Sequence, residues 1–138
     1  MWILYALLSA VFAAAVAILG KIGLKNVDST LATTIRAVVM ALFLVGAAAV
    51  FQKFSLIKTV GSNTLTFIIF SGIAGALSWL FYFFALKYGP ASGVAALDRL
   101  SVVFVVILAA IFLGEALTAK SALGLLFIVG GALLLVFK

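Results

Sequence analysis

Five runs of about 20 mostly apolar residues occupy nearly the whole chain, and each is long enough to cross a bilayer as a helix. They are residues 2–20, 31–51, 63–86, 92–113 and 119–137. The first and third are free of charge, the second contains Arg36, and the fourth contains Asp98 and Arg99. Of the 138 residues, 68% are hydrophobic and 9% charged. So few polar side chains cannot cover a globule in water, and so apolar a chain is not disordered. Its natural solvent is lipid. Backbone groups in lipid must find partners within their own segment or in a closed barrel, and the alternation of a barrel strand is missing. The chain reads as an all-α, polytopic membrane protein with five transmembrane helices.

The connections are short: residues 21–30, 52–62, 87–91 and 114–118. Helices joined this way run antiparallel to their sequence neighbours. Gly89-Pro90 ends the third helix and Pro90 opens the fourth, where its missing N–H costs nothing. Thr118 is placed to cap the fifth helix, and Ser62 or Asn63 the third. The first run lacks a basic leader and exceeds the usual length of a signal-peptide core, so it reads as a retained helix.

The residue inventory excludes most chemistry. No Cys or His occurs, so thiolate nucleophiles, imidazole bases and ordinary zinc sites are absent from the chain. The acids are Asp28, Asp98 and Glu115. No GxxxxGK loop occurs for ATP. No nucleophile–base pair stands out, and the chain does not read as an enzyme or as the holder of a cofactor or metal. The formal net charge of +6 comes from Lys and Arg scattered at the ends of apolar runs. That pattern anchors helices against lipid headgroups and does not form a nucleic-acid patch.

An odd number of spans puts the termini on opposite sides. Lys53, Lys58 and Lys120 fall on the side of the N-terminus; Lys21, Lys25, Lys87 and Lys138 fall on the other. Three against four is a weak orientation signal, and Arg36 and Arg99 tilt it only modestly. A near-neutral count suits a chain that inserts both ways and pairs head to tail.

Helices in lipid associate through small residues. One such stripe is Ala6, Ala10, Ala13, Ala17 and Gly20. A second is Ser71, Gly75, Ser78 and Tyr82, and a third is Gly124, Ile128 and Gly131, with Gly130 beside it. The second also carries hydroxyls near mid-depth, beside Trp79 and Phe83, and so serves as a cavity lining as well as a packing seam. Charges at depth are functional hypotheses by default. Arg36 and Asp98 each lie five or six residues inside a helix entering from the same side, roughly 8–9 Å deep at the rise of an α-helix. They can meet at one depth, either as a structural ion pair or as a substrate or proton site. Asp98 is the only acid within a span and hence the candidate proton carrier. Candidate substrate-binding residues are Arg36, Ser71, Ser78, Trp79, Tyr82, Asp98 and Ser101.

The stretch from Ala85 to Thr118 resembles the EamA domain of the drug/metabolite transporter superfamily. The matching pieces are Gly89-x-Ala91-Ser92, then Leu113-Gly114-Glu115-x-Leu117-Thr118, then Gly124 with Gly130-Gly131. Gly20-Lys21-Ile22-Gly23 and Arg36 also look like the family. The structural motif residues are thus Gly20, Lys21, Gly23, Pro90, Arg99, Gly114 and Glu115, with Glu115 expected as a cap or an ion-pair partner of Lys120. The resemblance covers essentially the whole chain, 1–138, as a single EamA-like membrane domain. Many members carry Pro in the fourth helix; this chain has Asp98-Arg99-Leu100-Ser101 there, like the short five-helix bacterial and archaeal branch. Ten-helix members consist of two inverted five-helix halves, and inverted repeats hold substrate near the midplane at their interface. The resemblance therefore implies one half of an inverted-repeat transporter in a prokaryotic plasma membrane. Its expected partners are a small organic solute, membrane lipid, and either a second antiparallel copy or a related five-helix chain. The rival is a non-transporting membrane subunit that pairs with another five-helix protein for assembly or regulation.

Overall fold

A computed structural model describes residues 1–137; Lys138, one of the lysines weighed for orientation, lies outside the described residues. The helices are α1 (Trp2–Gly23), α2 (Ser29–Val50), α3 (Ser62–Tyr88), α4 (Ala91–Asp98), α5 (Ser101–Leu108) and α6 (Ala119–Val136). Taking α4 and α5 with the π turn that follows (Ala109–Leu113) as one, five segments are long and apolar enough to span a membrane. The chain is an all-α, multi-pass membrane protein.

Boundaries differ from the sequence expectations where side chains extend or close a helix. α1 runs on to Gly23 and into a 3₁₀ turn, Leu24–Asn26, because Lys21 need not leave the helix to find a partner: its Nζ donates to the Gly89 carbonyl at 2.8 Å. α2 starts at Ser29, two residues early, because Asp28 caps it. The Asp28 carboxylate accepts from the N–H groups of Thr30 (2.9 Å) and Leu31 (3.0 Å), satisfying donors that a helix start leaves open. Ser62 and Asn63 lie inside α3, whose first turn is closed by the Leu65 N–H on the Gly61 carbonyl, so neither caps it. Pro90 stands one position earlier than expected, as the residue before α4, and its carbonyl accepts from Val94 N–H at 3.0 Å. Thr118 caps α6 as expected, reciprocally with Ser121.

The fourth span is not one continuous helix. At Arg99–Leu100 the ladder tightens: the N–H groups of Leu100, Val102 and Val103 each donate three residues back, to Leu97, Arg99 and Leu100, at 2.9–3.1 Å. These N–H groups keep partners, which is the condition for irregular backbone at membrane depth. The span ends at Gly114, whose φ of +69° is a conformation glycine adopts without a Cβ clash. Residues 114–118 are non-helical, so Glu115 and Lys120 do not share a helix face. Among the described residues Glu115 has no ion pair, and the expected link to Lys120 is absent. Its backbone N–H closes the π turn on the Ala109 carbonyl at 3.3 Å.

Two compact units divide the chain: Met1–Ile22 with the chain from Tyr88 onward, and Gly23–Lys87. In the first, α4 packs on α6. Gly93, Val94 and Ala96 are buried on α4, and Ala132 on α6. A Cβ at Gly93 would meet Pro90 Cγ at 3.3 Å and Val136 Cγ2 at 3.8 Å, so the glycine permits this approach. The α1 stripe is buried only at its end, at Ala17. A Cβ at Gly124, Gly130 or Gly131 would meet no atom within 4 Å among the described residues. In the second unit, Leu24, Ser29, Thr33, Phe83 and Leu86 are buried where α2 begins and α3 ends. Thr33 Oγ1 donates to Ser29 O at 2.7 Å, so its hydroxyl is satisfied within the helix. Lys87, in the last turn of α3, donates from Nζ to the carbonyls of Leu24 (2.9 Å) and Val27 (2.7 Å). One ammonium thus ties the end of α3 to the turn that leads into α2.

Candidate functional site

The second unit carries a polar cluster at membrane depth. On α3, Trp79, Tyr82, Phe83 and Leu86 follow the helical spacing of three, four and seven residues and share one face. Phe83 and Leu86 form its buried end; Trp79 and Tyr82, further from the helix terminus, are half-buried. The rings meet edge to face: Trp79 and Tyr82 centroids are 5.4 Å apart at 74°, and Trp79 and Phe83 6.2 Å apart at 62°, an arrangement the ring quadrupoles favour.

Arg36 of α2 reaches this face. Its guanidinium carbon sits 3.6 Å from the centre of the Trp79 ring and 5.6 Å from that of Phe83. The first distance is that of two planes in face contact, well within the ~6 Å range of a cation–π interaction. Arg36 stands seven residues into α2, about 10 Å along the helix axis. Within its own unit its partner is therefore aromatic. It has no hydrogen bond or ion pair among the described residues.

Of the sequence candidates, the structure brings Arg36, Trp79 and Tyr82 together and adds Phe83. Ser71 and Ser78 lie on the open surface of α3, outside the ring cluster. In the other unit Asp98 is the last residue of α4, Arg99 begins the tight turn, and Ser101 opens α5; all three are exposed on the chain. Lys21, Gly23 and Pro90 serve local structure at helix ends, and Gly20 adjoins them, half-buried. The Asp28 cap and the Lys87 clamp are among the features absent from the sequence expectations. The Asp28 cap carried a signal, an Asp just ahead of an apolar run. The carbonyl-clamping role of Lys87 carried none, because its partners are about 60 residues away.

Comparison with known proteins places the family. The EamA-like transporter family matches residues 1–137. The chain belongs to that family. A protein of Sinorhizobium sp described as "Uncharacterized transporter in cobO 3'region" is 43% identical over 134 residues, covering 97% of this chain and 95% of that protein. No solved structure matches the chain. As an EamA family member with a relative named as a transporter, the chain is a membrane transporter by kinship rather than an enzyme by kinship.

Proposed function

We propose that this EamA family chain is a half-transporter. Two five-span copies of opposite orientation, or one copy and a related chain, move a small organic solute by alternating access. The observation that carries the reading is the polar surface that its spans leave open. Ser71, Ser78, Asp98, Arg99 and Ser101 all lie within apolar spans and are exposed on the single chain. Hydrocarbon does not tolerate the two charges; a charged residue at the centre of an isolated span costs about 2.5–3.5 kcal/mol even on the most lenient scale, and the serine hydroxyls add polar surface beside them. A second chain and a water-lined path between the two would cover them. The open glycine face of α6 at Gly124, Gly130 and Gly131 supports the same reading, since it is shaped for close helix approach.

In this reading Arg36, Trp79 and Tyr82 line the solute path, and Asp98 is the proton carrier. The purified chain alone, reconstituted in liposomes, is expected to produce solute-dependent currents across a panel of small metabolites. Asp98→Asn is expected to abolish proton-coupled uptake while helix content and elution volume stay as in the parent. Silent liposomes rescued by adding a related five-helix chain would favour the hetero-pair; liposomes that stay silent with and without it would favour the non-transporting subunit. Unchanged coupled uptake in Asp98→Asn would remove Asp98 from the carrier role.

A further inference from the structure

Arg36 has a face partner and no edge partner. A guanidinium carries five N–H donors, all in its own plane. Stacking on Trp79 at 3.6 Å occupies one face of that plane and leaves the donors unengaged, and no hydrogen bond or ion pair takes them among the described residues. About 10 Å inside a span, unmet donors of a charged group are costly, so they must meet an acceptor that comes from outside this unit. The geometry also narrows the acceptor. The donor fork matches two coplanar oxygens bidentately, which a carboxylate presents. The stack holds the fork at a fixed orientation, so little side-chain entropy is lost when it is engaged. Around the guanidinium lies ring surface from Trp79 and Phe83, and Tyr82 extends it by its edge-to-face contact with Trp79, a surface suited to an apolar or aromatic body. A cation would meet the guanidinium's charge instead.

We propose that Arg36 is the recognition point for an organic carboxylate, held bidentately by the guanidinium edge with its apolar body against Trp79 and Tyr82. This rests on the transporter reading and names the substrate class for it. Lipid phosphate offers similar oxygens but brings no flat body to the rings, and the test separates the two.

The chain has only two tryptophans, Trp2 and Trp79. Trp2→Phe therefore leaves Trp79 as the sole indole emitter, in contact with Arg36. The full-length Trp2→Phe protein in phosphatidylcholine nanodiscs is titrated with 4-nitrobenzoate, 4-nitrobenzylammonium and 4-nitrobenzyl alcohol, three quenchers of one shape and different charge. The carboxylate is expected to quench Trp79 saturably, at least tenfold tighter than either analogue. Arg36→Lys keeps the charge but loses the planar fork, and is expected to weaken the carboxylate about tenfold while leaving the analogues unchanged. Tighter binding of the ammonium or the alcohol overturns the carboxylate assignment yet leaves a solute site, and with it the transporter reading, standing. Unsaturable quenching by all three also overturns the assignment, and the liposome currents then judge the transporter reading separately. Loss of the carboxylate response on adding soluble glycerophosphoglycerol to the same phosphatidylcholine discs at constant ionic strength would assign the fork to a headgroup phosphate and overturn the proposal. The comparison of the three quenchers uses intact Arg36, so it decides even where Arg36→Lys fails to fold.

Discussion

Lys87→Met removes one ammonium and keeps a stem of similar length and apolarity. In the parent, that ammonium donates to Val27 O at 2.7 Å and to Leu24 O at 2.9 Å. A hydrogen bond to a charged group contributes about 1.5–3 kcal/mol net, and a part-buried site takes the lower end. Two such bonds give about 3 kcal/mol. The substitution also strands the two carbonyls of a turn whose Leu24 side chain is fully buried. About 3 kcal/mol is roughly a hundredfold in the unfolding equilibrium constant. Unfolding in mixed micelles, followed by far-UV circular dichroism over a dodecyl sulfate titration, reads this directly. Lys25→Met is the control: Lys25 is exposed, and its loss is expected to fall within about 0.5 kcal/mol of the parent. Lys87→Met falling within that same margin would refute the tie between the end of α3 and the turn before α2.

Asp28→Ala is expected to cost about 1 kcal/mol in the same titration, with Asp28→Asn retaining most of the parent stability, because the cap needs only an acceptor oxygen. Gly114→Ala is expected to cost about 1 kcal/mol through its positive φ alone, since no atom crowds a Cβ there; equal stability would show that this turn adopts another backbone conformation.

The five spans were legible in the sequence because lipid imposes a simple rule: about 20 mostly apolar residues per crossing, as from Leu31 to Phe51, where Arg36 is the one charge. Caps were legible where the side chain acts on its own helix. Thr118 and Asp28 both cap the helix that follows them, and each carries the same local signal, an acceptor side chain just ahead of an apolar run. Contacts between distant segments were not legible. Nothing local announces that Lys21 and Lys87 donate to carbonyls more than 55 residues away; the sequence offers Lys21 as an orientation charge and family-motif residue and Lys87 as an orientation charge. The Arg99–Leu100 tightening was also hidden, since no proline or glycine marks it. Of the candidate site, the sequence names Trp79 and Tyr82, but the helical stripe drawn through Ser71, Ser78 and Tyr82 splits: the two serines are exposed, and Tyr82 joins the ring cluster of Trp79. Their meeting with Arg36 was not legible, because the sequence offered Asp98 as the obvious counter-charge.

The central claim is that this five-span chain works as part of an oppositely oriented pair, and orientation tests it most directly. Fusing the C-terminus separately to green fluorescent protein, active inside, and to alkaline phosphatase, active outside, compares the two signals at matched expression. Activity from both fusions is the predicted result; it establishes two orientations and makes a self-sufficient antiparallel homodimer the working model. Activity from one fusion alone would fix the orientation, contradict the antiparallel homodimer, and leave a distinct, oppositely oriented five-helix chain as the required partner.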